Sequence, residues 1–410
     1  MNISIRFKKT FTALKYPNYR LWFIGQIVSL FGTWMQNTAQ GYLIFELTGS
    51  SLYLGYAAIA SGIPTWIFTL FGGVIADRIS RRKLLMITQT VMMVLAFILA
   101  FLTFTHQVQP WHILVLAFLL GTTTAFDTPA RQALTSELVD REDLTNAIAV
   151  NAAMFNSASA VGPAVAGVTY AALGPGWCFA LNGVTFIAVI IALGLMRFKQ
   201  GVESPSGSRS NLLRSLLDGL TYITHHRIIL GLILVVGSLG FFGMSFNTLL
   251  PAWAVKILGG DSVTVGFMQG SRGFGALSAA LFIASLGRIK YRGKLLSIGT
   301  FLFPVALLAM TAVRWLPLSL LLLYLMGFGS MMVMNLANSL VQTSVPDQLR
   351  GRVMSIYSLF LFGLMPIGGM VYGALASQFT EPITGVGGGI AYLAIATLVF
   401  AFAPKVRKLE

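Results

Sequence analysis

Positive charge in this chain falls almost wholly in alternate gaps between long apolar runs, a pattern that constrains it to thread a membrane in one orientation. Twelve apolar runs can be drawn, centred near residues 33, 63, 94, 120, 158, 187, 238, 273, 304, 328, 365 and 394. Arg6, Lys8, Lys9, Lys15 and Arg20 precede the first run, Arg78, Arg81, Arg82 and Lys83 follow the second, and Arg131 and Arg141 follow the fourth. Arg197, Lys199, Arg209, Arg214 and Arg227 surround the central connection. Arg288, Lys290, Arg292 and Lys294 follow the eighth run, Arg350 and Arg352 the tenth, and Lys405, Arg407 and Lys408 lie in the tail. Of the 28 Lys and Arg residues, only Lys256, Arg272 and Arg314 stand elsewhere. Basic loops stay cytoplasmic, so the alternation predicts an even number of spans with both termini inside, in a multi-pass protein of the cell (inner or plasma) membrane.

Composition agrees. Of 410 residues, 56% are hydrophobic and 10% charged, which counts spans rather than soluble cores. Runs such as Leu84 to Phe104 are long enough to cross a hydrocarbon layer of about 30 Å as helices. The net charge of +15 does not indicate nucleic-acid binding, because a soluble basic face does not alternate with apolar segments of that length. The single Cys178 excludes an internal disulfide and supplies no thiolate cluster. His106, His112, His225 and His226 lack metal-ligand spacing, so neither metal nor cofactor is expected. The first residues are polar and basic without a short apolar core, so a removable signal peptide is not expected.

The chain reads as a duplicated half. Leu14-Lys15-Tyr16 and Leu220-Thr221-Tyr222 are 206 residues apart. The loop around Val139-Asp140 and that around Pro346-Asp347 share nearly the same offset, as do the Gly- and Pro-containing runs that follow them. Gln200 to Asn211, rich in Gly, Ser and Pro, reads as a linker. The expected organisation is a six-helix bundle over 1–198, a cytoplasmic linker over 199–212 and a second six-helix bundle over 213–410. Paired halves of this kind place a ligand site near the midplane. Leu212, Leu213, Leu216, Leu217 and Leu220 recur at helical spacing, which suits either a helix on the membrane surface or an extension of the seventh span.

The most specific motif is Gly73-Val74-Ile75-Ala76-Asp77-Arg78-Ile79-Ser80-Arg81-Arg82-Lys83. Asp77 and Arg81, four apart, share a face if the helix continues through them, where a carboxylate can cap another helix and an Arg can hold an acidic partner. The segment resembles the inter-helix loop signature of the major facilitator superfamily, with Ser80 where that pattern has Gly. The resemblance implies an all-α membrane protein of twelve transmembrane helices in two pseudo-symmetric six-helix bundles. It also implies a cytoplasmic latch of Gly73, Asp77, Arg78, Arg81, Arg82, Asp127 and Arg131, in which Asp77 caps the helix near Gly351 to Met354 and Arg81 pairs with Asp127. Phe126-Asp127-Thr128-Pro129-Ala130-Arg131-Gln132 and the opening Tyr16-Pro17-Asn18-Tyr19-Arg20 resemble the branch that holds macrolide-efflux proteins and the enterobactin exporter. Val161 to Gly167 is similar to the glycine-proline motif of exporters in that superfamily, which makes Gly162, Pro163 and Gly167 a candidate hinge, or else a packing seam.

Polar residues inside apolar runs mark a wet cavity or a helix-to-helix bond. Gln26, Ser29, Thr33, Gln36 and Gln40 make one polar stripe in the first run. Ser238 and Asn247 in the seventh, Asn335 and Asn338 in the tenth, and Asn156 in the fifth join it as candidate cavity residues. Arg272, with Gln269, lies about midway along the eighth run, and centring an Arg in a bilayer costs roughly 2.5–3.5 kcal/mol on insertion scales. It is expected either to attract an anionic or carbonyl-rich substrate or to bond helix carbonyls. Asp127 and Glu46 are the acidic candidates for carrying protons, and no phosphate-binding Gly-Lys-Ser/Thr loop is present. The expected function is secondary active export of amphipathic small molecules of drug or siderophore type by a monomer in the lipid bilayer, with protons as a candidate coupling ion. The alternative is a lipid or lysophospholipid translocator on the same fold. No catalytic constellation is present, so an enzyme is not expected.

Overall fold

The structure, a computed structural model, describes residues 12–197, 212–286 and 291–409, and within these the side chains outside 69–78, 212–216 and 408. All regular structure among them is helical. The first half comprises α1 (Pro17–Thr48), α2 (Ser51–Arg78), α3 (Arg81–Phe104), α4 (Pro110–Glu137), α5 (Leu144–Leu173) and α6 (Pro175–Leu195). After the undescribed linker come α7 (Leu212–His225), α8 (Arg227–Ser238), α9 (Ser262–Ser285), α10 (Arg292–Ala312) and α11 (Leu316–Ser344). The last are α12 (Asp347–Ser358), α13 (Leu364–Gln378) and α14 (Glu381–Phe402).

Helix ends follow local chemistry. Pro occupies the first turn of α4, α6, α11 and α14, where its fixed φ suits a helix start and its missing N–H is no loss. Asp261 caps α9 by accepting from the Thr264 N–H at 3.1 Å, and Thr380 caps α14 by accepting from Ile383 at 3.4 Å. Gly174, at φ +91°, lets α5 turn directly into α6.

Among the described residues, nine helical stretches are long and apolar enough to cross a membrane, from Arg81–Phe104 to Glu381–Phe402. The helices α1 and α9 are long enough but fall short in hydropathy, because they carry Gln26, Gln36, Asn37 and Gln40, or Gln269 and Arg272. Large apolar side chains such as Phe101, Leu195, Leu281, Ile298 and Phe402 stand exposed on these helices. Water would penalise such a surface, whereas lipid accommodates it.

The chain divides into two compact units, one of Met1–Leu47 with Ala60–Ser206 and the other of Thr48–Ile59 with Gly207–Glu410. The helix α2 therefore contributes its first turns to the second unit and the remainder to the first. A core of the first unit gathers Tyr19, Trp22, Leu85, Ala130, Leu134, Ala147, Val189 and Leu193. The second unit buries Phe246, Trp253, Phe303, Leu307, Tyr372 and Tyr392, with aromatic edge contacts such as Phe303–Tyr392 at 5.7 Å between centroids.

Two stretches leave α geometry. From Leu239 to Ile257 the chain passes through a π turn (Leu239–Gly243), a 3-10 turn (Met244–Leu249), one α turn and a second π turn (Trp253–Ile257). A further π turn, Leu359–Gly363, joins α12 to α13. Carbonyls in and beside these turns have side-chain donors: Ser245 Oγ donates to Gly240 and to Met365 at the start of α13, and Tyr372 OH donates to Phe242 at 2.6 Å. By contrast α5 is uninterrupted through Gly162, Pro163 and Gly167. A Cβ on Gly162 would stand 2.7 Å from Trp34 Cβ, so this glycine serves close packing of α5 on α1. The helical irregularity lies in other spans than the candidate hinge.

The amphipathic stretch forms α7, a helix separated from α8 by extended backbone at His226 rather than an extension of the span. Arg352 of α12 donates to Asp218 of α7 at 2.7 Å, while Leu217 and Leu220 stay exposed. An exposed leucine face beside a charged one is the form of a helix lying on a membrane surface.

Candidate transport site

Asp127 organises the polar interior of the first unit. Only 1% exposed, it accepts from Thr88 Oγ1 at 2.8 Å, Gln89 Nε2 at 2.8 Å and Arg131 Nε at 3.0 Å. Arg131, one helical turn on, donates to Gln26 Oε1 of α1 at 2.6 Å. One carboxylate and one guanidinium thus tie α1, α3 and α4 together with no net charge left in the interior. Gln26 Nε2 and Gln89 Oε1 remain buried without partners.

The expected pairing of Arg81 with Asp127 does not form. Arg81, at the start of α3, pairs with Glu137 at the end of α4, and Asp127 takes Arg131 instead. Asp127 lies ten residues before Glu137, about 15 Å deeper along the helix, beyond the reach of a side chain rooted at that end. Arg82 Nη2 donates to the Gly194 carbonyl at 2.7 Å, closing the last turn of α6. The surroundings of Gly73 and the side chains of Asp77 and Arg78, and with them the capping expected of Asp77, lie outside what the structure describes. At the same end, Lys15 Nζ lies 2.6 Å from Asp143, and Tyr16 OH donates to that carboxylate at 2.8 Å. The Asp143 carboxylate, then Tyr16, raises the pKa of Lys15 above its usual value.

The polar stripe of α1 divides. Gln36 is buried and accepts from Asn182 Nδ2 of α6 at 2.7 Å, so it joins Gln26 in bonding helix to helix. Ser29 is buried, with its carbonyl bonded by Thr33, while Thr33 and Gln40 are half-buried. Asn156 turns back onto the Ala152 carbonyl at 2.9 Å. In the second unit Ser238 bonds the Val235 carbonyl at 2.9 Å, Asn338 accepts from Gln342 at 2.7 Å, and Gln269 and Asn335 are half-buried. Asn247 is half-buried with its Oδ1 atom shielded and unbonded.

Arg272 stays unmatched. Among the described residues no carboxylate forms an ion pair with it, and its Nε is buried without a partner. Its helix is fixed where α9 crosses α11: Ser271 Oγ donates to the Leu320 carbonyl at 2.7 Å, and a Cβ on Gly327 would stand 1.9 Å from the Arg272 carbonyl. Such an Arg, held by backbone contact and short of acceptors, can take an anionic or carbonyl oxygen.

Sequence reasoning passed over two sets of partners. Thr88 and Gln89 were visible as adjacent polar residues in one of the strongest apolar runs. Lys256, one of the three cations off the alternating pattern, donates at 2.8 Å to Glu381, which also accepts from Ser51 at 2.6 Å.

Residues 8–410 match the profile of a family described as transmembrane secretion effector. The chain belongs to that family, within the major facilitator superfamily. It is 27% identical to the staphyloferrin A transporter of Staphylococcus aureus, over 95% of this chain and 97% of the relative. It is 24% identical to macrolide efflux protein A of Streptococcus pyogenes, over 86% and 89%, and 24% identical to the enterobactin exporter EntS of Escherichia coli, over 96% and 93%. Solved structures share the fold at lower identity. A bacterial homolog of the human lysosomal transporter Spinster superposes with TM-score 0.70 at 12% identity over 96% of this chain and 97% of that one. A variant of the peptide transporter POT gives 0.74 at 13% over 96% and 95%. As a major facilitator superfamily member with apolar helices of spanning length, the protein is an integral membrane transporter and not an enzyme.

Proposed function

We propose that the protein is a secondary active exporter of amphipathic small molecules, of drug or siderophore type, that works by alternating access and is driven by protons. The likeness to exporters and efflux proteins along nearly the whole chain carries this reading. In it, twelve helices span the cell membrane: the nine above together with α1, α2 and α9, which at 32, 28 and 24 residues have the length required. They form two six-helix bundles, 1–198 and 213–410, with both termini cytoplasmic, and the protein acts as a monomer.

Hydrogen bonding within the helix bundles supports a smaller set of cargo residues than the polar stripe alone would give. Gln26 and Gln36 bond neighbouring helices, whereas the Nε of Arg272 and the Oδ1 of Asn247 are shielded without a partner. Arg272 is the anchor for an oxygen-rich or anionic group. Expression in a host stripped of its own efflux pumps, challenged with dyes, macrolides and siderophores, tests the reading. Export of some members of the panel is expected, lost with a protonophore and lost in Arg272→Gln at unchanged membrane yield. Well-expressed protein that moves none of the panel would sink the exporter reading, and undiminished export by Arg272→Gln would remove Arg272 from the cargo site.

A further inference from the structure

Glu381 opens α14 with its side chain 5% exposed, and its Oε1 accepts two hydrogen bonds, from Ser51 Oγ at 2.6 Å and from Lys256 Nζ at 2.8 Å. All three residues belong to the second unit, at the end remote from the basic starts of α8 and α10, since Lys256 closes the span that begins at Arg227. Asp127 and Glu381 are the two buried carboxylates among the described residues. Asp127 is matched by an Arg on its own helix and sealed inside the first unit. The partner of Glu381 differs: the Lys256 side chain is 38% exposed, so the pair has one member in the protein and one reaching solvent.

What Glu381 holds is the start of α2. Gly369 and Gly373 of α13, four residues apart, receive the first two turns of that helix. A Cβ on Gly373 would lie 2.7 Å from the Ser51 carbonyl, one on Gly369 would lie 2.9 Å from Ala58 Cβ, and one on Gly55 would lie 3.2 Å from Met370 Cα. Small residues allow this approach, but in lipid such packing draws on dispersion and offers no hydrophobic gain. The hydroxyl of Ser51 on the Glu381 carboxylate supplies the polar anchor. Beyond Ile59 the same helix continues into the first unit, with Pro64 inside it.

We propose that Glu381 is a proton-binding site, and that its protonation releases Ser51 and the first turns of α2 from the second unit. A proton from solvent, arriving past the Lys256 ammonium, adds to the carboxylate and leaves a neutral acid. The acid no longer attracts Lys256 as an ion and is a weaker acceptor for Ser51. The groups around it are few. The span ending at Ile257 offers Lys256 and, one turn inward at Gly385, Trp253 and Phe246. The capping residue is Thr380, α2 offers Ser51, and α10 offers Thr311, whose carbonyl accepts from Arg314. From α13 comes Tyr372, at Gly388, with its hydroxyl engaged by Phe242. Lys256 is thus the charged side chain in contact with Glu381, and no second carboxylate among the described residues competes for the proton.

Amide hydrogen exchange of the full-length protein in lipid nanodiscs tests this without any cargo, and so independently of the export reading. The readout is the peptide covering residues 51–59, in neutral buffer and in buffer acidic enough to protonate an ion-paired carboxylate, corrected for the intrinsic pH dependence of exchange. Wild type should exchange at least about tenfold faster in acid, and Glu381→Gln should be fast at both values. Equal wild-type protection in both buffers, or a wild-type pH response in Glu381→Gln, would overturn the site. If Glu381→Gln also loses protection in α3, Ser51→Ala replaces it. That variant should show a diminished pH response, and a full one would again overturn the proposal.

Discussion

Asp127 is expected to be intolerant of even an isosteric change. Asp127→Asn leaves Arg131 with a charge and no counter-ion, facing Thr88 and Gln89 across a buried contact. Breaking a buried pair costs about 3–5 kcal/mol, and because the Arg131 side chain is 31% exposed the lower end applies. The variant should lose thermal stability in detergent, and adding Arg131→Met should restore part of it, since removing both charges removes the orphan; a fluorescence-detected melting series reads both. Gly327 makes a second residue-scale case. Gly327→Ala drives a methyl into the Arg272 carbonyl, so α9 and α11 must separate at an expected cost of about 1–3 kcal/mol. Transport should fall along with stability, and Gly387→Ala in α14, where a Cβ meets open space, is the matched control.

Helices were legible where their chemistry is periodic and bounded. Apolar length and the basic clusters in alternate gaps marked the spans, because the bilayer acts directly on both. Partners across helices were less legible. The stripe from Gln26 to Gln40 has the spacing of a cavity wall, yet the same spacing serves contact with two neighbours, and Gln26 and Gln36 found Arg131 and Asn182. Depth misled for Arg81, since being on the correct helix says nothing about being within reach along it. The π turns had no readable signal, because five residues such as Leu-Gly-Phe-Phe-Gly look like any apolar segment. Their support is testable: Tyr372→Phe deprives the Phe242 carbonyl of a donor in an apolar setting, at an expected cost of about 1–2 kcal/mol. If this stretch also bends during transport, turnover should change more than stability does, which a comparison of initial export rate with melting temperature resolves.

For the whole molecule, charge alternation makes a geometric demand that one experiment can meet or refuse. Ser80 and Gln107 are both exposed and bracket α3, a helix of 24 residues and so about 36 Å long, enough to separate the two faces of a membrane. Cys178 is fully buried, so the natural thiol gives little background to a membrane-impermeant reagent. In intact cells Gln107→Cys should label and Ser80→Cys should not, with Ser80→Cys becoming reactive once the membrane is opened. The rule that yields this expectation sums basic charge near each span, so neutralising Arg78, Arg81, Arg82 and Lys83 together should produce a fraction of molecules with the opposite pattern. Labelling of Ser80→Cys in intact wild-type cells would reverse the orientation. The cations would then face outward, and the Lys256–Glu381 pair would meet its protons from the cytoplasm instead of from outside.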